Sequence, residues 1–224
     1  MNKVIFYYQT FTTLKPIIYK NVVTHIHLSA IHFGLNQDGS PYIHLNNNDP
    51  SDKCFDDLWN EIKLCQKNGI KIILMIGGAG GAYYDLFHNF DIYYNLLLNT
   101  IKIHKLDGID LDIEESVLLL DVQKLIKKIN NDLGNKFIIS MAPIQSSMET
   151  DEPGMGGFIY KDLYKSEVGH LIHYFNVQCY YSFTSESYQN MINNNYPIDK
   201  LVMGMIYSQP LDKCVSEIQK VINK

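Results

Sequence analysis

The stretch Asp107-Gly108-Ile109-Asp110-Leu111-Asp112-Ile113-Glu114 reads as a β-strand whose two faces have opposite character. Side chains alternate along a strand, so Asp110, Asp112 and Glu114 share one face and the apolar residues share the other. Strands normally avoid Asp and Glu. A row of carboxylates contributes nothing to folding here, so the pattern indicates a functional site at the end of a strand.

Short apolar runs recur on both sides of this stretch, each followed by a polar turn and then by helical spacing. Nearly continuous hydrophobicity is expected of parallel strands that helices cover on both faces. The seven predicted strands are Val4–Thr10, His25–Phe33, Lys71–Gly78, Gly108–Glu114, Lys136–Pro143, Tyr174–Tyr181 and Leu201–Tyr207. The clearest helices are Asp52–Asn68, Asp91–Lys105, Ser116–Asp132 and Leu211–Lys224. The sequence therefore predicts an α/β fold, either a barrel or a doubly wound sheet.

Two connections add detail to this fold. Gly34–Pro50 has no helical pattern, and its Gln37-Asp38-Gly39-Ser40 turn signal predicts a small hairpin. After the seventh strand only the helix Leu211–Lys224 remains, so no residues are left for the eighth strand of a closed barrel.

Composition limits the classes of partner. The chain has 224 residues, of which 46% are hydrophobic and 19% charged, as expected of a single globular domain over residues 1–224. The net charge of −5 comes without a basic run, which argues against nucleic acid. No segment approaches the roughly 20 apolar residues of a membrane span. The N-terminus lacks the features of a secretory signal, which favours a cytoplasmic location, and nothing indicates an oligomeric state.

Motifs for cofactors and metals are missing from the sequence. Gly77–Gly81 has no Lys-Ser/Thr after it, so its glycines are expected to form a tight turn rather than a phosphate loop. Cys54, Cys65, Cys179 and Cys214 lack metal-ligand spacing and are predicted to be structural thiols. No cofactor and no metal are predicted from these motifs.

The acidic strand allows three interpretations. The first is a general acid, because crowding of three buried carboxylates raises the pKa of at least one of them toward the range that a general acid needs. A solvated edge strand is the simplest alternative. The third interpretation is a Mg²⁺ or Mn²⁺ site, since Asp110-Leu111-Asp112 has the Asp-x-Asp form of sugar-nucleotide glycosyltransferases.

The same stretch resembles the complete Asp-Gly-x-Asp-x-Asp-x-Glu signature of family 18 glycoside hydrolases. Four further segments are similar to the family's first, third, fifth and sixth strands: Ile5–Tyr8, Leu74–Gly78, Ser140–Pro143 and Val177–Tyr181. The resemblance implies a TIM-type (β/α) barrel, here lacking its eighth strand. It also implies retaining hydrolysis of β-1,4-linked N-acetylglucosamine in chitin or chitooligosaccharide, or in glycans as an endo-β-N-acetylglucosaminidase.

The resemblance also implies roles for individual residues. Glu114 would protonate the glycosidic oxygen and later deprotonate the water, while the sugar's own N-acetyl group acts as the nucleophile. Asp112 would hold the acetamide N–H, Asp110 would share a proton with Asp112, and Tyr180 would bind the acetamide oxygen. The implied substrate-binding residues are Tyr7, Gly78, Met141 and Gln178. Asp107 has the opposite parity and is expected to be structural.

Departures from the family pattern keep a second function open, a chitinase-like carbohydrate-binding protein without turnover. The family's eighth strand ends in a tryptophan under the sugar, whereas the only tryptophan here, Trp59, lies in a predicted helix and is expected to pack. Met75 replaces the serine of Ser-x-Gly-Gly, and Tyr181 replaces the usual Asn or Asp. Because such binding proteins commonly lose the acid, the intact Glu114 favours hydrolysis. No function is assigned to the histidines, including His25 and His27.

Overall fold

The computed structural model describes residues 3–9 and 12–222. Their contacts form two compact units, Met1–Glu115 with Lys136–Ile138, and Ser116–Asn135 with Ile139–Lys224. The prediction of a single domain stays a prediction, and each unit is described in turn.

The first unit contains a sheet of parallel strands with one antiparallel addition. Its strands are β1 (Ile5–Tyr8), β2 (His25–Leu35), β3 (Pro41–Leu45), β4 (Lys71–Gly77) and β5 (Gly108–Asp112). Its helices are α1 (Lys15–Lys20), α2 (Asp56–Lys67), α3 (Tyr83–His88) and α4 (Phe90–His104), and a 3₁₀ turn covers Lys53–Phe55. The parallel strands follow the order β1-β2-β4-β5, and β3 pairs antiparallel with β2. The hairpin predicted within Gly34–Pro50 is confirmed.

The second unit contains three parallel strands and five helices. The strands are β6 (Ile138–Met141), β7 (Tyr174–Gln178) and β8 (Leu201–Gly204), paired in that order. The helices are α5 (Leu119–Leu133), α6 (Gln145–Glu149), α7 (Tyr160–Lys165), α8 (Ser185–Asn193) and α9 (Leu211–Ile222), with 3₁₀ turns at Gly169–Leu171 and Ile198–Lys200. In residues 3–9 and 12–222, α9 is the last element and no eighth parallel strand occurs.

Local sequence signals explain where several elements begin and end. The Asp52 carboxylate accepts a hydrogen bond from the Cys54 backbone N–H, which starts the 3₁₀ turn that leads into α2. Gly69 follows α2 at φ 80°, a left-handed conformation that suits glycine. Trp59 is buried in α2, donates from Nε1 to the Pro50 carbonyl at 2.8 Å, and stacks on His104. The expectation that it packs rather than binds is confirmed.

The structure corrects several predicted boundaries. All seven predicted strands are present, but β5 ends at Asp112 and β7 ends at Gln178, each before its predicted end. Helix α5 begins at Leu119 rather than Ser116. The backbone N–H of Val117 donates instead to the Gly156 carbonyl at 3.0 Å, which takes Ser116–Leu118 out of the helix.

Predicted residues at two places fall outside the described part of the chain. Thr10 of the first predicted strand is one, and the end of the last predicted helix, Asn223–Lys224, is another. Among the described residues, no helix is both long enough and apolar enough to cross a bilayer.

Candidate active site

Asp110 lies at the centre of a buried polar cluster in the first unit. Its side chain is completely buried, and its Oδ2 accepts a 2.7 Å hydrogen bond from the Tyr7 hydroxyl. Nδ1 of the fully buried His27 lies 3.1 Å from the same oxygen, and the rings of His27 and Tyr7 are 4.6 Å apart. A buried carboxylate is costly unless polar groups surround it, so Tyr7 and His27 stabilise Asp110 in place.

His27 belongs to the same buried cluster, although its sequence pattern carries no functional signal. Its Cα is the register partner of Tyr7 on β1, and its face of β2 is the one that meets Asp110. The shared parity of His25 and His27 was visible in the sequence, but their partners depend on the pairing of strands distant in sequence. Of the two, only His27 lies beside the acidic strand's central carboxylate.

Asp112 ends β5 and is held next to the glycine turn that follows β4. It is 6% exposed, and its backbone carbonyl accepts a 2.9 Å hydrogen bond from the Gly78 N–H. Gly77 and Gly78 have φ values of 90° and 78°. A Cβ on Gly77 would lie 2.4 Å from the Asp112 carbonyl oxygen, and one on Gly78 would lie 3.4 Å from Asp112 Oδ2. The glycines therefore make the tight turn as predicted and let the backbone approach the carboxylate.

Glu114 lies two residues beyond the end of β5 and is half-buried. The prediction placed Glu114 on the same face as Asp110 and Asp112 because side chains alternate along a strand. Within β5 this alternation applies only to the two aspartates. The position of Glu114 depends instead on the segment that follows the strand, where its neighbour Glu115 makes strong contacts.

The Glu115 carboxylate binds three consecutive backbone N–H groups at the start of α3. Oε1 accepts hydrogen bonds from Ala82 and, at 2.6 Å, from Tyr83, and Oε2 accepts from Tyr84 at 3.2 Å. A carboxylate at a helix N-terminus satisfies free N–H groups and complements the helix dipole. These contacts tie the loop after β4 to the residue directly after Glu114. No local sequence pattern signals this role, because the amides lie 31 to 33 residues earlier in the chain.

Asp107 has the structural role that was predicted for it. Its carboxylate accepts hydrogen bonds from the Ile72 N–H at 3.0 Å, Gln66 Nε2 at 3.1 Å and Lys71 Nζ at 2.8 Å. These contacts fix the entrance of β5 against β4 and α2.

In the second unit, the predicted binding residues lie at and beyond the ends of β6 and β7. Met141 is fully buried at the end of β6. Gln178 ends β7, and its Nε2 donates to the Ala142 carbonyl at 2.9 Å, which fixes the side chain. Tyr180 lies two residues past β7 and is 37% exposed, so the alternation of side chains along β7 does not fix its direction. Tyr181 is fully exposed.

The structure thus brings individually predicted residues together at two places, Tyr7 with Asp110 and Gly78 with Asp112. Within the part of the chain that the structure describes, no three His, Cys, Asp or Glu side chains are grouped so that they could hold a metal ion. Asp110 itself lies in a buried polar cluster with Tyr7 and His27.

Comparisons with known proteins identify the family of this chain. The family described as Glycosyl hydrolases family 18 matches residues 3–220. Among curated proteins, none matches this sequence. A chitinase, ChiC, from Aspergillus fumigatus superposes with a TM-score of 0.91 at 28% identity, over 100% of this chain and 87% of that chain.

Two further solved structures are similar. A fungal endo-β-N-acetylglucosaminidase of family 18 has a TM-score of 0.90 at 26% identity, over 100% of this chain and 86% of that chain. A class V chitinase from Nicotiana tobaccum, in complex with NAG4, has a TM-score of 0.61 at 14% identity, over 91% of this chain and 65% of that chain. The predicted fold class, a TIM-type (β/α) barrel without its eighth strand, is confirmed. The chain belongs to the glycosyl hydrolases of family 18.

Proposed function

We propose that this chain hydrolyses β-1,4-linked N-acetylglucosamine with retention, with Glu114 as acid and base and the substrate's acetamide as nucleophile. The observation that carries the proposal is the buried Asp110, bonded to Tyr7 and two residues before Asp112, on the strand that leads to Glu114. Folding alone gives no reason to bury these two carboxylates side by side.

The proposed mechanism divides the work among the acidic residues. Glu114 donates its proton to the glycosidic oxygen as the acetamide oxygen attacks the anomeric carbon, which gives an oxazolinium ion. Asp112 accepts the acetamide N–H and stabilises the positive charge that develops. The same Glu114 carboxylate then takes a proton from the water that opens the oxazolinium ring.

Asp110 acts through Asp112 rather than on the sugar. Tyr7 and His27 hold Asp110 at a fixed position, so that a proton can be shared between the two aspartates while charge builds at the anomeric carbon. The family resemblance further assigns acetamide binding to Tyr180 and substrate binding to Gly78, Met141 and Gln178.

The proposed substrates are chitin and chitooligosaccharides. The solved structures that support this choice include two chitinases, one of them in complex with NAG4, and an endo-β-N-acetylglucosaminidase. A glycan with the same linkage is accordingly the second substrate to assay.

The test is release of a fluorogenic group from a chitobiose glycoside by the wild-type chain and by Glu114→Gln. We expect Glu114→Gln to lower kcat by at least about 100-fold, the size of a general acid–base contribution. Glu152→Gln, an exposed glutamate in the second unit, is the matched control and should retain the wild-type rate. EDTA should leave the rate unchanged.

Each alternative has its own outcome. Equal rates for the wild type and Glu114→Gln would disprove the assigned acid. Binding of chitooligosaccharide without any turnover would indicate a carbohydrate-binding protein. Loss of activity in EDTA would indicate that the acidic strand binds a metal ion.

A further inference from the structure

Met75 is the direct neighbour of Asp110 on β4. The Cα atoms of the two residues are register partners in the parallel pairing of β4 with β5. Met75 is 4% exposed, and a Cβ added to Gly78 would lie 3.1 Å from Met75 Cε and 3.4 Å from Asp112 Oδ2. The Met75 side chain therefore lies on the face of the sheet that contains the two aspartates.

Neither Met75 nor Ile73, two residues earlier on β4, can donate a hydrogen bond to Asp110, because a thioether and an aliphatic chain contain no N–H or O–H group. The serine that the family pattern has at position 75 would place a hydroxyl beside Asp110. A buried carboxylate is costly when donors do not reach it. A donor from another strand is therefore needed in place of that hydroxyl.

His27 supplies a donor from β2. Its Nδ1 lies 3.1 Å from Asp110 Oδ2, and both side chains are fully buried. An unprotonated nitrogen and a carboxylate oxygen would repel each other at this distance, so a proton lies between them, and the imidazole is ordinarily the stronger base. Nδ1 is therefore the donor, to the same oxygen that accepts from the Tyr7 hydroxyl at 2.7 Å.

The direction of the His27 ring is specific to this residue. Its ring centroid lies 4.6 Å from that of Tyr7, its register partner on β1, and the two rings are tilted by 54°. His25 lies two residues earlier on β2, and its Nδ1 is 2.8 Å from Thr24 Oγ1 instead. The two histidines thus have different partners, and His25 provides a matched control.

We propose that His27 is a positioning residue for the glycosidase reaction, which supplies from β2 the hydrogen bond to Asp110 that Met75 on β4 cannot give. The proposal rests on the proposed function and deepens it, because it makes the identities of residues 27 and 75 depend on each other. A donor is needed at one of these two positions. Since Asp110 does not touch the sugar, we expect His27 to affect kcat and not KM.

The experiment measures kcat and KM on the fluorogenic chitobiose glycoside for single and double variants at the two positions. His27→Leu removes the donor and should lower kcat at least about tenfold, with KM changed by less than about twofold. Met75→Ser places a hydroxyl beside Asp110 and should raise the kcat of His27→Leu at least about threefold without raising that of the wild type. His25→Leu should retain the wild-type kcat.

Two outcomes of this series would overturn the proposal. One is a wild-type kcat in His27→Leu. The other is an effect of Met75→Ser that is the same in the wild-type and His27→Leu backgrounds, because independent positions would show no rescue.

Two amide variants test the position of the donor while a polar side chain is kept. His27→Asn attaches its Nδ2 directly to Cγ, as Nδ1 is attached in the imidazole, and should keep kcat within about threefold of the wild type. His27→Gln has its amide one carbon further out and should lose activity as His27→Leu does. Circular dichroism verifies that each variant is folded, and equal kcat values for the two amides would contradict the proposal.

Urea midpoints provide a measurement that needs no turnover. His27→Leu should lower the midpoint of the wild type, and should lower that of Asp110→Asn by less than about half as much, because the charged partner is gone. Equal shifts in both backgrounds would show that His27 does not hold Asp110. Absence of turnover in the wild type would reject the glycosidase function, and the midpoints would still show whether His27 holds Asp110.

Discussion

Glu115 Oε1 accepts a 2.6 Å hydrogen bond from the backbone N–H of Tyr83, at the first residue of α3. The residue next to the proposed acid is thereby fixed to the loop that contains Gly78 and Gly81. This contact predicts that Glu115 positions Glu114 without touching substrate.

Glu115→Gln tests that positioning role. The amide keeps one acceptor oxygen but turns an NH₂ group toward the helix N–H groups, so we expect the free energy of unfolding to fall by about 1–2 kcal/mol. We expect kcat to fall about tenfold with little change in KM, and Glu115→Ala to lose more. Glu217→Gln is the control, because Glu217 accepts from the Ser185 N–H at 2.8 Å in the second unit. A rate in Glu115→Gln equal to that of this control would contradict the prediction.

The buried pair Tyr7 and Asp110 should be energetically coupled. Tyr7→Phe removes a hydrogen bond to a buried carboxylate and should lower the free energy of unfolding by about 2 kcal/mol. In a double-mutant cycle with Asp110→Asn, the coupling energy should be about 1 kcal/mol or more. Tyr8→Phe loses a hydroxyl bonded to the Thr12 carbonyl and should show no coupling to Asp110. Additive effects of Tyr7→Phe and Asp110→Asn would show that the contact has no energetic value.

Gly77→Ala should be much more damaging than a glycine replacement made at a similar φ elsewhere. At Gly69, where φ is 80° compared with 90° at Gly77, no atom lies within 4 Å of an added Cβ, so Gly69→Ala should cost about 1–2 kcal/mol from backbone strain alone. Gly77→Ala adds a collision with the Asp112 carbonyl oxygen and the Tyr83 ring, and should cost about 3 kcal/mol or more. Chemical denaturation of the two variants measures the difference, and equal losses would mean that the turn relaxes freely.

The sequence predicted those parts of the fold that local patterns specify. Continuous apolar runs located all seven parallel strands, and the Gln37–Ser40 turn located the β2–β3 hairpin. The start of α5 was missed because Val117 bonds to Gly156, a residue far along the chain that the helical pattern does not include.

Candidate site residues could be predicted where the family signature or the alternation of side chains along a strand included them. Asp110 and Asp112 were placed by alternation, and the contact of Asp110 with Tyr7 spans 103 residues that only the fold brings together. His27 and Glu115 were not assigned from the sequence, because each contacts a partner on another strand or loop. A histidine in an apolar strand and a glutamate after a turn have no distinctive local pattern.

Acid should destabilise the fold through two imidazoles, His25 and His104. Desolvation by burial lowers the pKa of each to about 4. At His25 the nearby His27, Lys3 and Lys71 lower the pKa further, while Asp107 opposes them. At His104 the charge of Lys63 adds to the effect of burial. An unfolded histidine has a pKa near 6.5, so the unfolded state binds more protons between about pH 6.5 and 4, and stability falls as the pH falls through that window. Because both rings are partly exposed, about 1 kcal/mol each is a realistic loss.

Urea denaturation of the wild type and His104→Phe at pH 7 and pH 4.5, followed by circular dichroism, measures this contribution. His104→Phe keeps the stack on Trp59 and should show a smaller loss at low pH, whereas His88→Phe, which replaces an exposed ring stacked on Tyr84, should behave like the wild type. The same pH dependence in all three proteins would remove His104 from the explanation.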